Sequence, residues 1–267
     1  MARELRRLLI PRERLQASAP PAPGGLRVPL NGSEQHYLRR VLRLREGDQV
    51  AVVDGAGNLW SAALVASDRL QLVESLEAPR HQQPPPAPIL QLALALPRRD
   101  VELVWRMATE LGIDRLQPLR AERCVAIAEP PLERWRMVVA EACEQCERLW
   151  LPAVSGLEEA GSWLAWAGAA SADPPLRLLA TTRQENLPLL QEWLHAHRPA
   201  ARELVVAVGP EGGWSPAEEE AALAGHWQPV SLGSTILRSG TAAVAAAALL
   251  TAWRAQAEPP AAAQFLR

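Results

Sequence analysis

The residues best suited to chemistry lie in a glycine-rich segment near the carboxyl end, Gly209–Gly213, of sequence GPEGG. An apolar run over 204–208 precedes it and predicts a buried strand. Ser215 can cap a following helix by exchanging hydrogen bonds with Glu218, and Pro216 suits the first helical position. The loop thus lies at the carboxyl end of a strand, where open α/β sheets bind ligands and glycine lets backbone approach them. The pattern is neither G-x-G-x-x-G nor a P-loop, so a tight turn without a ligand is the alternative.

A second candidate loop follows Val230–Leu232, a short run that predicts a strand. The chain opens at Gly233 into an irregular stretch and then enters an alanine-rich helix predicted over Ala242–Ala257. That helix has almost no polar face at its start, and a helix that is apolar all round is buried. Arg238 precedes the helix, where the helix dipole disfavours a cation, which favours a functional role over an ordinary surface position.

Two regions of different pattern hold these segments. Up to residue 80, short strands alternate with turns, and Asp54-Gly55 is a hairpin signal, which predicts a small β-barrel. A stiff proline-rich stretch at 81–88 follows, and from residue 89 strands and helices alternate. The alternation predicts an α/β domain with a mostly parallel, doubly wound sheet and helices on both faces. We therefore expect domains at 1–80 and 89–267, joined by a linker at 81–88.

The predicted elements can be placed to within a few residues. In the first region, Ser33 is expected to cap a helix over Glu34–Arg43. In the second region the predicted strands are Ile89–Ala95, Arg115–Pro118, Leu176–Ala180, Leu204–Val208 and Val230–Leu232. The predicted helices are Val101–Leu111, Leu132–Leu149, Leu187–Ala196, Pro216–Ala224 and Ala242–Ala257.

Charge is distributed unevenly along the chain. Residues 1–45 contain ten arginines and three acidic residues, a net charge of +7, which leaves about −9 on the rest because the whole chain carries −2. This asymmetry fits a surface that meets a polyanion, and a solvated basic face fits it equally well. The chain has no lysine, so all 28 Lys or Arg residues are arginines, whose guanidinium groups suit phosphate contacts and base stacking.

Composition argues against several other classes of protein. With 48% hydrophobic and 22% charged residues, the chain has ordinary globular usage. It has no apolar run of the roughly 18 residues that a membrane span needs, and Leu8–Ile10 is too short for a signal peptide, so no membrane association is expected. Three cysteines indicate a reducing compartment, and we expect a cytoplasmic protein. Cys143 and Cys146 lack further ligands at zinc spacing, so no metal site is expected.

Several motifs occur in one order along the chain. The GPEGG loop is followed by Leu232-Gly233 and Ile236-Leu237-Arg238, and Ala108–Gly112 reads ATELG. Further motifs are His36, Val41-Leu42-Arg43, Gly47-Asp48, Asp54-Gly55, Glu133-Arg134-Trp135, Glu141-Ala142, Glu144-Gln145 and Arg148. Together, and at this spacing, they resemble the RsmE family, the 16S rRNA uracil-N3 methyltransferases of the SPOUT class. The resemblance covers nearly the whole chain.

The resemblance implies a PUA-like barrel followed by a SPOUT domain with a deep trefoil knot that holds S-adenosylmethionine. It also implies a homodimer through the knotted domain, to which the alanine-rich last helix is suited. Main-chain groups around Leu232, Ile236 and Leu237 would hold the adenine. The expected cofactor-binding residues are Ala180, Thr181, Val208, Gly209, Pro210, Glu211, Gly212, Gly213, Leu232, Gly233, Ile236, Leu237 and Thr241.

The implied reaction is methylation of a uridine N3 in 16S rRNA of the small ribosomal subunit. That nitrogen must lose its proton, so we expect Arg238 to stabilise the developing anion. Glu211 either accepts the proton, positions the substrate or is simply tied to loop amides, and Thr241 is expected to fix the loop. The expected phosphate contacts in RNA are Arg6, Arg7, Arg39, Arg40 and Arg43. His36 either stacks on a base or has a structural role.

Two departures from the family pattern leave alternatives open. Gly240 stands where the family usually has Glu, and Met107 where it usually has Lys. One alternative is another SPOUT RNA methyltransferase, acting on ribose 2′-OH or on tRNA. The other, suggested by Gly240, is a catalytically silent RNA-binding or ribosome-assembly protein. The identity of the proton acceptor, and the choice between naked rRNA and an assembled subunit as substrate, stay open at this point.

Overall fold

The computed structural model describes residues 5–18, 25–125, 130–165, 174–182, 184–197 and 201–257. These residues form two compact units. The N-terminal unit contains the chain up to Pro85 together with Cys143–Leu151, and the C-terminal unit contains Pro86–Ala142 and the described chain after Leu151. Within the described ranges, no helix has the length and apolar character that a membrane crossing requires.

The N-terminal unit is built on a mixed sheet. Its elements are β1 (Arg7–Leu9), α1 (Arg12–Ala17), β2 (Arg27–Pro29), α2 (Gly32–His36), a π-helical turn (Tyr37–Val41), β3 (Gln49–Val53), β4 (Asn58–Ala66), β5 (Arg69–Leu72) and β6 (His81–Gln82). The strand order is β1-β3-β4-β5-β2, with β6 paired to β4. Strand β1 runs parallel to β3, and the other pairs are antiparallel. Along β3, Val50 and Val52 enter the main core of the unit, while Ala51 and Val53 pack on the opposite face with Leu149.

The hairpin predicted at Asp54-Gly55 joins β3 to β4. Asp54 is buried, and its carboxylate accepts hydrogen bonds from the amides of Ala56 (2.8 Å) and Asn58 (3.0 Å). Gly55 has a φ of 72°, a left-handed conformation that favours glycine. The Asp54 side chain and the left-handed Gly55 therefore stabilise the turn that these two residues predicted.

The helix cap predicted at Ser33 is wrong. Asn31 caps α2: its side chain accepts from the amide of Glu34 at 2.9 Å, and the Glu34 carboxylate accepts from the amide of Asn31 at 2.8 Å. This reciprocal pair requires an acidic residue three positions after the cap, a spacing that Asn31 meets and Ser33 does not. The helix predicted to reach Arg43 ends at His36 and continues only as the π-helical turn.

Residues 143–151 complete the N-terminal unit. The Arg7 guanidinium pairs with the Glu147 carboxylate at 3.1 Å, and the Glu144 carboxylate accepts from the amide of Leu9 at 2.6 Å. The Gly57 amide donates to the carbonyl of Leu149 at 2.9 Å. Gly57 has a φ of 92°, and a Cβ there would lie 2.7 Å from the ring of Trp150, so only glycine fits.

The rest of the chain is built on a parallel sheet. Its elements are β7 (Ile89–Ala95), α3 (Val101–Leu111), β8 (Arg115–Arg120), α4 (Leu132–Gln145), β9 (Ala153–Val154), β10 (Glu158–Glu159), α5 (Ala160–Ala165), β11 (Leu176–Ala180), α6 (Leu190–His197), β12 (Glu203–Val208), α7 (Pro216–Ala224), β13 (Gln228–Val230) and α8 (Ser239–Ala257). The order is β10-β8-β7-β12-β11-β13, with β9 paired to β8, and the strand pairs are parallel.

Helices cover both faces of this sheet, as predicted. In β7, Leu90, Leu92 and Leu94 enter the core that the sheet forms with α3, α4, α6 and α8. Ala93 and Ala95 point the other way, into the core formed with α5 and α7. A strand buried on both faces is apolar along most of its length, and in β7 only the half-buried Gln91 interrupts the apolar residues.

Most of the predicted elements of this region are present with small shifts. Strands β7 and β11 and helices α3 and α7 have the predicted bounds. Helix α4 ends at Gln145 instead of Leu149, α6 begins at Leu190, β13 ends at Val230, and α8 begins at Ser239. Of the stretch expected to be a linker, His81 and Gln82 form β6, and the two units meet in sequence between Pro85 and Pro86.

Candidate functional site

Three neighbouring strands end side by side at one edge of the parallel sheet. Ala180, the last residue of β11, is in register with Val208 at the end of β12 and with Val230 at the end of β13. The segments that leave these three strands therefore start from one place, and they surround a single cleft. Both loops singled out by the sequence are among them, as expected for ligand sites of open α/β sheets.

The cleft brings together ten of the thirteen residues expected to bind a cofactor. These are Ala180, Thr181, Val208, Gly209, Pro210, Glu211, Gly213, Leu232, Ile236 and Leu237. Six further lining residues were missed by the sequence analysis: Thr182, Trp214, Glu219, Thr235, Ser239 and Ala242. They are the next residues along the same loops and the first turns of the helices that follow.

The other expected residues lie around the cleft instead of lining it. Gly212 packs against Arg123, which donates from Nη1 to the Gly212 carbonyl at 3.0 Å. Gly233 lines an adjoining cavity, and Thr241 is exposed on the first turn of α8. Arg238 is also exposed, and its chain neighbours Leu237 and Ser239 both line the cleft, so its backbone lies at the rim.

Two side chains fix the loops against each other. The Trp214 indole donates from Nε1 to the carbonyl of Ala180 at 3.1 Å, and the Ser239 hydroxyl donates to the carbonyl of Gly209 at 2.8 Å. A Cβ on Gly209 would lie 3.2 Å from the Trp214 ring, closer than ordinary van der Waals contact, so glycine suits the close packing of this tryptophan. These two hydrogen bonds tie the segments that line the cleft to one another.

Helix α7 begins where the sequence predicted. The Ser215 hydroxyl accepts from the amide of Glu218 at 3.3 Å, and the Glu218 carboxylate accepts from the amide of Ser215 at 2.8 Å. The same carboxylate accepts from the amide of Glu122 at 2.8 Å, so both Glu218 carboxylate oxygens make hydrogen bonds that stabilise the fold. Capping pins the end of the GPEGG loop to a rigid helix.

The cleft combines apolar walls with negative charge. Among the residues that the structure describes, its lining includes Glu211 and Glu219 as the only charged side chains. The Thr181 hydroxyl donates to the Glu219 carboxylate at 3.3 Å, and the Arg98 amide donates to that of Glu211 at 3.3 Å. Ile236 is 85% exposed, an unusual state for a large aliphatic side chain that a bound apolar ring would cover. The arrangement suits a ligand with a flat ring and a cationic group.

The residues expected to contact RNA differ in their surroundings. Arg7 has a side chain only 15% exposed and is held by Glu147, so it serves the N-terminal unit as a structural ion pair. The remaining five are exposed, and within the described ranges no carboxylate pairs with them: Arg6, His36, Arg39, Arg40 and Arg43. Three of these arginines lie on or just after the π-helical turn.

The cysteines carry no metal-binding arrangement in the part of the chain that the structure describes. Cys143 is buried, and burial raises the pKa of its thiol to about 12, so it stays protonated near neutral pH.

Comparison with known proteins identifies the family. The sequence matches the family model described as RNA methyltransferase domain over residues 84–251 and that described as RNA methyltransferase PUA domain over residues 30–74. It is 41% identical over 230 residues to the ribosomal RNA small subunit methyltransferase E of Synechocystis sp., covering 84% of this chain and 73% of the relative. It is 32% identical over 227 residues to the protein of that name from Mycobacterium bovis, covering 81% of this chain and 83% of the relative.

Solved structures agree with this assignment. The crystal structure of the ribosomal RNA small subunit methyltransferase E of Neisseria gonorrhoeae, bound to S-adenosyl methionine, matches with a TM-score of 0.74 and 26% identity. The match covers 93% of this chain and 98% of that one. A Legionella pneumophila protein with a TM-score of 0.75 and 23% identity, covering 93% and 98% of the two chains, shares the fold. The expected fold class is confirmed, as is the resemblance seen in the motifs: the chain belongs to the ribosomal RNA small subunit methyltransferase E family of RNA methyltransferases.

Proposed function

We propose that the protein transfers a methyl group from S-adenosylmethionine to N3 of a uridine in 16S rRNA of the small ribosomal subunit. One observation carries the proposal: in a chain of this family, the ends of β11, β12 and β13 align so that both glycine loops contribute to a single cleft. The Neisseria gonorrhoeae relative, whose structure is bound to S-adenosyl methionine, supports the choice of cofactor.

The residues of the cleft fit S-adenosylmethionine. Peptide groups and apolar side chains around Leu232, Ile236 and Leu237 suit an adenine ring, and the carboxylates of Glu211 and Glu219 suit a cation. When bound, the cofactor supplies an electrophilic methyl group on a sulfonium. We assign Glu219, Trp214 and Ser239 to this site in addition to the thirteen residues expected from the sequence, with Gly212, Gly233 and Thr241 supporting it from outside the cleft.

The chain's own groups must prepare the uridine. Its N3 proton has to leave before the nitrogen can attack, and the resulting imide anion needs a nearby positive charge. Arg238, exposed at the rim, takes this role. The Glu211 carboxylate, held by the Arg98 amide, accepts the proton or positions the base. Holding both reactants in one cleft supplies a further part of the rate.

The N-terminal domain, which we place at residues 1–80, binds the rRNA backbone. Arg6, Arg39, Arg40 and Arg43 contact phosphates, and His36 stacks on a base or supports the turn. We omit Arg7, because Glu147 already neutralises it. In the same proposal, 81–88 contains the linker, with its first two residues in β6, and 89–267 is the catalytic domain apart from Cys143–Leu151. We further propose that the catalytic domain is threaded as a trefoil knot and pairs with a second copy of the chain in the cytoplasm.

Two measurements test this function. Calorimetry is expected to show S-adenosylmethionine binding. Purified protein is then expected to methylate small subunits from a strain that lacks its gene, with mass spectrometry locating N3-methyluridine in the 16S rRNA. Absence of cofactor binding would favour the catalytically silent RNA-binding protein suggested by Gly240. Methylation of ribose or of tRNA would instead favour another reaction of the same fold.

A further inference from the structure

Two groups of arginine side chains in the C-terminal unit differ in their charge partners. Six of them have a carboxylate oxygen within 4.0 Å: Arg106, Arg115, Arg120, Arg134, Arg136 and Arg254. Four exposed arginines have no such partner among the residues described: Arg98, Arg99, Arg123 and Arg238. The charge of the second group is therefore available to an outside anion.

These unneutralised arginines lie around the cleft. Arg98 and Arg99 follow β7, whose Leu94 is in register with Val208 of β12. The Arg98 amide donates to the Glu211 carboxylate at 3.3 Å, which brings this loop to the cleft wall. Arg123 donates to the carbonyls of Gly212 and Trp214 at 3.0 Å each, on the GPEGG loop. Positive charge thus lies beside a cleft whose charged lining residues, among those described, are Glu211 and Glu219.

The loop that carries Arg98 and Arg99 ends in an uncommon backbone conformation. Its last residue, Asp100, has a φ of 66° and begins α3 without a side-chain cap. The left-handed region is uncommon for residues other than glycine, although aspartate adopts it more readily than most, and an N-cap carboxylate normally accepts an amide hydrogen bond. Uncommon conformations persist where the surrounding structure demands one loop shape, and they concentrate at functional sites.

We propose that Arg98 and Arg99 bind the phosphates of the RNA strand that flank the target base. This rests on the proposed function and adds a second RNA contact, distinct from the arginines of the N-terminal unit. Guanidinium groups without a carboxylate partner can form paired hydrogen bonds with phosphate oxygens. The negative cleft repels the phosphates, so the strand is held at the rim while the neutral base enters. Arg123 keeps the GPEGG loop in place, and Arg238 remains assigned to the reaction.

The test compares the double variant R98Q/R99Q with R106Q. Arg106 is a matched control because it lies on the adjacent helix α3, is 53% exposed and already pairs with Glu110. The dissociation constants for 16S rRNA, measured across a salt series, and for S-adenosylmethionine are determined for both variants and the wild type. We expect R98Q/R99Q to weaken RNA binding on the order of tenfold. The salt slope should shrink by about 1.4, at roughly 0.7 per single-strand phosphate contact.

The remaining outcomes separate the proposal from its rivals. R98K/R99K should restore most of the salt slope, because the charges remain. Unchanged RNA affinity and salt slope in R98Q/R99Q would overturn the proposal. An equal loss of cofactor and RNA affinity would also overturn it, since the loop would then act by holding Glu211. If the wild-type protein binds no cofactor, the proposed function fails, while the RNA measurements still decide whether this loop contacts RNA.

Discussion

The cleft and the arginine surface of the N-terminal unit (Arg39, Arg40 and Arg43) are built in different ways. The cleft depends on backbone held by buried hydrogen bonds, such as those from Trp214 to Ala180 and from Ser239 to Gly209. The arginine surface consists of long exposed side chains on or next to a π-helical turn. A site made of backbone should fail abruptly when its geometry changes, whereas a site made of separate charges should weaken in steps. The following predictions test that contrast.

The largest effect is expected from Gly209→Val. A Cβ at this position would lie 3.2 Å from the Trp214 ring, and valine adds two further methyl groups, so we expect the loop or the tryptophan to shift. We expect S-adenosylmethionine affinity, measured by calorimetry, to fall at least about 100-fold, equal to about 2.7 kcal/mol. Gly161→Ala is the control, because nothing lies within 4 Å of a Cβ there. A change below about threefold in Gly209→Val would show that the loop is adaptable.

Arg238→Ala should act on turnover more than on binding. The side chain is exposed at the rim and is proposed to stabilise charge that develops only during the reaction. We expect kcat to fall about 100-fold, with the dissociation constants for cofactor and RNA changing less than about threefold. Single-turnover kinetics at saturating RNA would measure this. Equal losses in turnover and RNA affinity would make Arg238 a binding residue.

Glu219→Gln should change which ligands the cleft prefers. S-adenosylmethionine carries a sulfonium cation that S-adenosylhomocysteine lacks. A carboxylate that faces the sulfonium therefore favours binding of S-adenosylmethionine over S-adenosylhomocysteine. We expect a loss of about tenfold in affinity for S-adenosylmethionine and a smaller loss for S-adenosylhomocysteine, both by calorimetry. Glu220→Gln is the control, because Glu220 is exposed on the same helix and does not line the cleft. Equal losses for both ligands would place Glu219 away from the sulfonium.

Single Arg→Gln changes at Arg39, Arg40 or Arg43 should have the smallest effects. Each removes one exposed charge, so we expect RNA affinity to fall about threefold per substitution, the salt slope to shrink by about 0.7, and cofactor affinity to stay unchanged. Filter binding across a salt series would measure this. Arg69→Gln serves as the control, because Arg69 is 57% exposed and lies near Asp68 at 3.8 Å. A single substitution that abolishes binding would contradict stepwise behaviour.

The sequence predicted best where a pattern is long or where local chemistry fixes the geometry. The strand predicted from the largely apolar run of β7, the helix predicted from the periodicity of α3, and the Ser215–Glu218 cap are present as predicted. Strands of two or three residues, such as β1, β9 and β10, were missed because so few residues show no periodicity. At α2 the predicted cap, Ser33, is wrong because the acidic residue needed three positions later is Glu34, which lies at that distance from Asn31.

The cleft was predictable in its loops but not in all of its side chains. Glycines at the end of a predicted strand indicated the GPEGG segment, and the family resemblance supplied the other expected cofactor-binding residues. Trp214 and Ser239 reach the cleft by bonding to carbonyls 34 and 30 residues away in sequence, a relation that only folding creates. Glu219 lies within a run of three acidic residues, Glu218–Glu220, and the sequence could not show which of them faces the cleft.

The return of residues 143–151 to the N-terminal unit has a consequence for biosynthesis. Leu9 and Gly57 donate their amides to groups in this later segment, and Arg7 finds its counter-ion there. A gene fragment that ends at Pro85 would therefore encode an incomplete N-terminal unit. The amides of Leu9 and Gly57 would lose their hydrogen-bond acceptors, and Arg7 would lose its counter-ion. On the ribosome, the N-terminal unit cannot finish folding until residue 151 has emerged, so its completion waits for Pro86–Ala142 of the C-terminal unit to be translated.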